Sequence, residues 1–495
     1  MENPFIGRQS ELKVLDRLWE QARSALLILY GRRRVGKTRL LTYWLQQRPG
    51  AGLYWMAEPT SALDQLRSFS QALVAFVDPE TPAPTEFTYA SWEYALRQAA
   101  LLAQNKRLVL FIDEVTYLIE ANPAFVGVMQ KAWDHWLSNS NIFLVLSGSQ
   151  MGLMQKQLLS YAAPLYGRAS AQMKLPPLPF GATSQYFAER SAQERIAAYA
   201  IWGGIPAYWE RIDSEVSILE NLGNQLNPAN NWLLDEPRLL LQDFISDPYN
   251  YVAIMRSIAH GEHALSDIGK RAGLSTSHTT SYLSTLRDTG FVERRVPITE
   301  RQLPDSRRGR YFVTDPYLRF YYRFLAAYHS KLAMGQQQQM LESIWSQMPE
   351  FIQNNTWQEV CREWLLRASL VGEIPISIEA VGSEWTRTST IDVVGIDESN
   401  RSIVVGSCYW QTESLDFGLI QEMVKRSQVI LSADRSDYSV YYLGFSAVGW
   451  SDEVKGQAEK YVATLGSGRV KTSWHPSGIR LLSLDEIDRD LTRWA

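Results

Sequence analysis

Eight residues near the N-terminus, Gly31-Arg32-Arg33-Arg34-Val35-Gly36-Lys37-Thr38, follow the spacing G-x-x-x-x-G-K-[ST]. Each fixed residue in that pattern has phosphate chemistry to do. Gly31 and Gly36 let backbone amides curl around a β-phosphate. Lys37 reaches β and γ oxygens, and Thr38 supplies a hydroxyl to Mg²⁺. An apolar run, Arg107-Leu108-Val109-Leu110-Phe111-Ile112, ends in Asp113-Glu114 and offers the second half of such a site. Asp113 is expected to hold the Mg²⁺ shell through water, and Glu114 to orient and deprotonate an attacking water. The two motifs together are far more specific than either alone. They predict ATP with Mg²⁺ as the ligand pair, and hydrolysis as well as binding.

Further polar residues follow neighbouring elements. Ser147 and Ser149, after the apolar run Asn141 to Leu146, are placed to sense a γ-phosphate by hydroxyl contact, or they form an ordinary Ser-Gly turn. Arg168, in Pro164-Leu165-Tyr166-Gly167-Arg168, either stabilises transition-state charge, from its own chain or a neighbouring subunit, or lies on the surface. Arg32, Arg33 and Arg34 either touch a lid or a neighbouring protomer or form a solvated charge run. Arg39, one residue past Thr38, is counted with Val35 among the nucleotide-contacting residues.

These residues need elements to hold them. Leu12, Leu15, Leu18 and Trp19 recur at helical spacing from Glu11 to Ala22, and Ala25 to Tyr30 is a compact apolar run before the glycine-bearing turn. That order reads helix, strand, phosphate loop, with a helix from Lys37 to about Gln47. Strands are expected at Gly52 to Met56, Arg107 to Ile112 and Asn141 to Leu146, with a helix around Ser91 to Ala103 and a surface loop from Asp78 to Glu86. Strands alternating with helices imply a parallel α/β sheet with its ligand beyond the strand C-termini. Three prolines in Leu175 to Phe180 mark a boundary. A helical segment then runs to about residue 245, interrupted at Gly203-Gly204-Ile205-Pro206.

From His263 to Val292 the pattern is helix, turn, helix, with the turn at Ala272-Gly273-Leu274, followed by a β-hairpin wing from Glu293 to Phe312. Residues 251 to 310 hold ten Lys/Arg against six Asp/Glu. The surplus sits in the wing, at Arg294, Arg295, Arg301, Arg307, Arg308 and Arg310. DNA is therefore a candidate partner through Arg294, Arg295, Arg307 and Arg308, and through the hydroxyls of Ser275 to Thr280. The alternative is a winged helix that serves as an intramolecular lid. From about Pro349 one helix and strands at Thr390 to Ile396 and Ser402 to Cys408 form a separate α/β domain.

The bulk numbers exclude several classes. At 495 residues the chain exceeds one continuous core, and 45% hydrophobic with 21% charged residues is a globular composition. A net charge of -4 and a pI near 6.0 give no global attraction to nucleic acid or an anionic membrane. Two cysteines, Cys361 and Cys408, without metal-ligand spacing are expected as buried thiols in a reducing compartment. No signal peptide and no spanning segment is legible, so a cytoplasmic location without a membrane partner is expected.

Several of these pieces together resemble the archaeal-type ATPases of the STAND branch of AAA+-related P-loop proteins, in the MNS-like clade. They are Phe5-Ile6-Gly7-Arg8 with Glu11, the triple-arginine phosphate loop, Phe111 to Glu114, Ser147 to Ser149, Pro164 to Arg168, Gly203 to Pro206 and Tyr311 to Pro316. The resemblance implies that Phe5, Ile6, Gly7 and Arg8 line an adenine pocket, that Pro206 lies in a lid touching nucleotide, and that ATP and ADP states pack lid and winged helix differently. It also implies a C-terminal domain similar to restriction endonucleases, whose metal site needs a helix glutamate, a strand aspartate and a following Glu-x-Lys. Glu359 and Asp392 match the first two. Ser407 and Tyr409 stand where a carboxylate and lysine are needed, which points to a degenerate nuclease fold used for binding or assembly, unless Glu413 migrates into the site. The expected organisation is a P-loop core at 1–175, a helical lid at 176–250, a winged helix at 251–330, a linker at 331–348 and the nuclease-like domain at 349–495. A protein partner or a homo-oligomer is also expected.

Overall fold

A computed structural model describes residues 5–81, 83–226, 232–242, 248–303, 305–327, 334–411, 415–428, 430–431, 435, 437–466 and 474–495. The chain divides into two compact units. The first comprises residues 1–178 with 205–210 and 240–246, and the second 179–204, 211–239 and 247–495.

The first unit is built on strands β1 (Ala25–Tyr30), β2 (Gly52–Met56), β3 (Leu108–Asp113), β4 (Ile142–Gly148) and β5 (Ala171–Lys174). They lie in the order β2-β3-β4-β1-β5, and every pairing is parallel. Helices α1 (Gln9–Glu20), α2 (Lys37–Gln46), α3 (Ala62–Val77), α4 (Trp92–Leu102), α5 (Val115–Ala121) and α6 (Phe125–His135) accompany it. All residues of β3 and β4 are buried, which is why these strands read as unbroken apolar runs without alternation. One face packs Leu110, Ile112, Leu144 and Leu146 against Phe69, Trp92 and Phe125. On the other, Phe111 and Phe143 meet Trp44 of α2. Ser61 and Ser91 cap α3 and α4 by accepting from the amides of Asp64 and Tyr94. Helix α2 has no such side-chain cap, so its first amides stay available to an anion.

In the second unit, helix α7 (Ala192–Trp202) joins the C-terminal helix through the ion pair of Arg195 with Asp488. Helices α8 (Tyr249–Ala259), α9 (Leu265–Ala272) and α10 (Thr276–Asp288) precede a two-stranded wing, β6 (Val292–Arg295) paired antiparallel with β7 (Arg310–Val313). Gly273, with φ of 70°, makes the turn between α9 and α10, and Ser275 caps α10. Helix α11 (Pro316–Arg323) closes this part, and α12 (Gln337–Ile352) runs through a π-turn at Gln353–Trp357 into α13 (Gln358–Leu370). The C-terminal domain has five strands, β8 (Ala380–Trp385), β9 (Thr390–Asp397), β10 (Ser402–Tyr409), β11 (Ser439–Ser446) and β12 (His475–Ser483), in the order β12-β11-β10-β9-β8. The sheet is mixed: β8-β9 and β9-β10 are antiparallel, and β10-β11 and β11-β12 parallel. Sequence reading anticipated β9 and β10. It passed over β8, β11 and β12.

The wing is fastened to this domain. Ile298, between its strands, belongs to the domain's hydrophobic core and approaches Gly382. Glu384, 2% exposed, accepts from the amide and hydroxyl of Thr299 and from Arg308 at 2.8 Å. Glu359 of α13 accepts from Arg295 and Arg319, each at 2.9 Å. Burial pushes the Glu359 carboxyl up, but Arg319, Arg295 and Arg362 outweigh it and hold it at about 2. Replacing Glu359 by Ala leaves the 5%-exposed Arg319 without its counter-charge, and we expect a loss of about 3 kcal/mol in urea unfolding of the full chain. A loss under about 1 kcal/mol would show that the pair is dispensable. Because the folded carboxyl lies below its ordinary 4.5, this stabilisation is complete above that value and fades as pH falls toward about 2.

Candidate nucleotide site

The parallel order brings the C-terminal ends of β3, β4 and β1 side by side, and the site assembles there. Gly31 leaves β1 under a close-passing carbonyl: a Cβ at this position would stand 2.5 Å from the Leu175 oxygen. Gly36 has φ of 99°, a conformation that favours glycine, and α2 starts at the next residue. Lys37 is 4% exposed, and its Nζ donates to the carbonyls of Gly31 at 3.0 Å and Arg32 at 3.2 Å. Burial pulls its ammonium below the ordinary lysine range, against the opposing pull of Glu114 and Asp113. The loop is therefore wrapped around its own lysine.

Asp113 has no solvent exposure. Its Oδ2 accepts from Thr38 Oγ1 at 2.6 Å and from Tyr54 Oη at 2.8 Å, and its Oδ1 accepts from the Glu114 amide at 2.9 Å. Two hard oxygen donors, a hydroxyl and a carboxylate, thus meet beside the phosphate loop, which fits Mg²⁺. Burial and the neighbouring Asp113 push the Tyr54 phenol well above its ordinary range, so it remains a donor. Glu114 has φ of 50°, unusual for a residue with a side chain, which turns the chain sharply from β3 into α5. Its Oε2 accepts from the Ser149 hydroxyl at 2.7 Å and amide at 3.2 Å, while Oε1 stands 3.9 Å from Lys37 Nζ. Ser147 is buried within β4, and its Oγ has no hydrogen-bond partner.

The surrounding arginines have individual anchors. Arg32 donates to the Tyr208 hydroxyl at 2.9 Å, Arg33 to the Tyr117 hydroxyl at 2.8 Å, and Arg39 lies 3.7 Å from Glu210. Arg32 is half-buried, whereas Arg33, Arg34 and Arg39 are exposed. Arg34 takes a left-handed backbone, φ 66°. Val35 is buried and its carbonyl accepts from Arg8 at 3.1 Å; Arg8 also reaches the Pro176 carbonyl at 2.7 Å and Glu11 at 3.1 Å. Arg8 thereby braces the phosphate loop. Phe5 stacks on Tyr43 of α2 with centroids 3.9 Å apart, Ile6 is half-buried, and Gly7 turns with φ of 62°. Pro206 opens the short helix Pro206–Trp209, and its ring would stand 3.9 Å from a Cβ at Gly36.

The remaining residues singled out in the sequence lie as follows. Arg168 makes a two-pronged pair with Asp134, at 2.7 and 2.8 Å, and donates to the Pro164 carbonyl. The wing arginines are not a free phosphate-binding surface. Arg295 pairs with Glu293 and Glu359, Arg308 with Glu300 and Glu384, and Arg301 lies near Glu379 and Glu398. Arg294 donates to the Ser306 carbonyl, and Arg310 lies over Trp385; Arg307 is exposed. The exposed polar face of this region is instead that of α10, with Thr276, Ser277, His278 and Thr280. Finally, Glu359 is bound to arginines. Asp392 accepts from Gln358 and the Cys408 amide, and Glu413 lies outside the described residues. Cys361 and Cys408 are buried free thiols, as read.

Tyr54, Tyr117, Tyr208 and Glu210 were not singled out in the sequence. Nothing in the apolar context of β2 marks Tyr54 as different from Tyr30 or Trp55; only the pairing of β2 with β3 brings it to Asp113.

This parallel sheet with its phosphate loop is a P-loop nucleotide-binding fold, followed by a helix-turn-helix region and a separate mixed-sheet domain. Residues 5–212 match the model of an ATPase domain predominantly from Archaea, residues 250–296 that of an IclR helix-turn-helix domain, and residues 321–422 that of archaeal and bacterial proteins of unknown function. An uncharacterized protein of Methanocaldococcus jannaschii is 27% identical over 439 residues, covering 88% of this chain and 94% of its own. An uncharacterized ATP-binding protein of the same organism is 48% identical over 44 residues, 9% of this chain and 75% of that one. Among solved structures, a Walker-type ATPase of Pyrococcus abyssi aligns with a TM-score of 0.49 at 20% identity, covering 64% of this chain and 96% of that one. The ORC2 protein of Aeropyrum pernix aligns with a TM-score of 0.42 at 12% identity, covering 70% and 98%. No helix among the described residues is long and apolar enough to cross a membrane.

The loop geometry makes a prediction. Gly31→Ala drives a Cβ into the Leu175 carbonyl and should weaken binding of a fluorescent ATP analogue at least about tenfold, the cost of misplacing positioned groups by a fraction of an ångström. Gly127→Ala, in the first turn of α6 with nothing within 4 Å, should leave it unchanged.

Proposed function

We propose that the chain is an ATP-binding and ATP-hydrolysing switch whose nucleotide state sets how the winged helix and C-terminal domain engage DNA or a protein partner. The observation that carries this reading is the joined network Thr38-Asp113-Glu114-Ser149-Lys37, in which every member is a residue type that phosphoryl transfer uses. The match of residues 5–212 to an ATPase domain supports it, as does the short, strong identity to an ATP-binding relative.

In this reading Lys37 leaves the Gly31 and Arg32 carbonyls for phosphate oxygens, and the uncapped amides of α2 bind the β-phosphate. Thr38 and Asp113 hold Mg²⁺, which when bound neutralises charge on the β and γ oxygens. Glu114 orients the attacking water and takes its proton. It is now held by Ser149 and Lys37, so turnover requires those donors to transfer to the γ-phosphate, and this exchange of partners is the switching event. Phe5 to Arg8 and Pro206 border the nucleotide, with Arg8 acting through Val35. Arg168 contributes only after leaving Asp134, in its own chain or toward a second copy. The buried thiols support a reducing, cytoplasmic setting.

The C-terminal domain acts as a scaffold with the restriction-endonuclease-like sheet plan and not as a nuclease, since Glu359 is committed to Arg295 and Arg319. Duplex DNA, where bound, meets α10. A second reading, an ATP-set regulator without turnover, draws on the double hold of Ser149 on Glu114.

The deciding experiment is phosphate release by the full chain with and without duplex DNA. Wild type should turn over, and Glu114→Gln should keep nucleotide affinity while losing at least about 100-fold in rate. No release from wild type under either condition would leave the second reading. For the partner, His278→Glu on α10 should lower duplex affinity about tenfold by setting a carboxylate against phosphates, whereas Arg307→Ala should change it less than about threefold. The reverse ranking would return the contact to the wing.

A further inference from the structure

The Asp113 carboxylate has a third partner that the phosphate-loop chemistry does not require. Tyr54 lies on β2, the edge strand, two residues before Met56, which pairs with Asp113 in the β2-β3 ladder; Tyr54 itself pairs with Phe111. Phe111 and Asp113 share one face of β3, so a side chain from Tyr54 on that face reaches along the ladder to the strand end. A phenol spans the gap, and its oxygen stands 2.8 Å from Asp113 Oδ2.

The arrangement of donors is specific. One lone pair of Oδ2 takes the Thr38 hydroxyl, at 2.6 Å, and the other takes Tyr54. Oδ1 accepts from the Glu114 amide at 2.9 Å. Thr38 is the one donor of the three that a metal shares, because in this reading its oxygen ligates the metal through a lone pair while its proton stays with Asp113. The tyrosine and the amide keep one hold on each carboxylate oxygen that does not depend on the metal, and the second lone pair of Oδ1 is left for a metal-bound water. Without the tyrosine, Oδ2 is left with the Thr38 hydroxyl alone, the donor that the metal also draws on, and the carboxylate is held less firmly against rotation about its own axis.

We propose that Tyr54 is a positioning residue for the Mg²⁺ site, holding the Asp113 carboxylate in the orientation that receives the metal's water shell. This rests on the ATP–Mg²⁺ reading of the site. Such outer partners of metal-binding carboxylates alter metal affinity by about 10- to 100-fold when removed.

The test is Tyr54→Phe in the full chain, which deletes one oxygen and keeps the ring. Two quantities are read: the affinity for a fluorescent ATP analogue in EDTA, and the Mg²⁺ concentration giving half of the metal-dependent change in that affinity. The metal-free affinity should stay within about twofold, and the Mg²⁺ midpoint should rise about tenfold. Tyr54→Leu, which also removes the ring, should give the same midpoint with a lower melting temperature. An unchanged midpoint overturns the proposal, and so does a parallel fall of metal-free and metal-dependent affinity, which marks a purely structural tyrosine. Wild-type protein whose nucleotide affinity ignores Mg²⁺ would instead overturn the ATP–Mg²⁺ reading itself.

Discussion

A carboxylate with no solvent exposure sits at the end of an apolar strand, and the first unit is arranged around satisfying it. An ionised group in such surroundings is untenable unless donors replace the water it has lost. Asp113 obtains three, and each comes from a different place: Thr38 from the first turn of α2, Tyr54 from the edge strand, and the Glu114 amide from the turn into α5. The requirement therefore fixes more than one side chain. It ties the start of the phosphate-loop helix to β3 and bends the chain at Glu114 into a left-handed conformation that a side-chain-bearing residue adopts only under constraint. That bend sends the Glu114 carboxylate toward Ser149 at the end of β4. Position, strain and reactivity follow from one buried charge.

The second unit answers the same requirement with a different solution. There the charges are spread over arginine-carboxylate pairs in which Glu384, 2% exposed, and Arg319, 5% exposed, could not be left alone. Their arrangement explains why a local surplus of arginine misleads. The count over residues 251 to 310 compares charges within the segment, whereas Glu359, Glu379, Glu384 and Glu398, which meet those arginines, lie well beyond it in the chain. Ile298, packed in the core of the C-terminal domain, makes the attachment hydrophobic as well as ionic. A basic stretch is a footprint for a polyanion only where its neighbours in space are no more acidic than its neighbours in sequence.

That distinction also sets what the sequence made legible. The parallel strands β1, β3 and β4, buried along all or nearly all of their length, announce themselves because burial on both faces demands unbroken apolar runs; β1 has the expected ends, and those of β3 and β4 differ by a residue or two. The phosphate loop is legible because its chemistry is local: glycine, lysine and threonine act within eight residues. The turn at Gly273 and the wing strands were equally plain. Strands β8 and β12 were not, since β8 is half-buried along most of its length and β12 begins with His475-Pro476-Ser477-Gly478, a run that reads as a loop. Strand β11, in contrast, carried an apolar run at Val440 to Phe445 that should have been found. Partners such as Tyr54 for Asp113 and Asp134 for Arg168 are separated by tens of residues and carry no local mark, so only the strand order reveals them.

Strand order also explains why this site can exist at all. Were the strands laid side by side in chain order, β2 would separate the phosphate loop on β1 from Asp113 on β3. The sheet instead places β2 at the edge and inserts β4 between β1 and β3. With all pairings parallel, Gly31, Ser147 and Asp113 then emerge at one end of three adjacent strands, where the crevice of a doubly wound sheet lies. Displacing β2 has a second consequence. Among the described residues it has a neighbour on one side only, β3, and that neighbour carries the buried carboxylate. A tyrosine on β2 can therefore lie along the face of the sheet and supply its hydroxyl to Asp113 without displacing α2 or the phosphate loop. The same rearrangement that brings the reactive ends together leaves an edge strand free to hold one of them still.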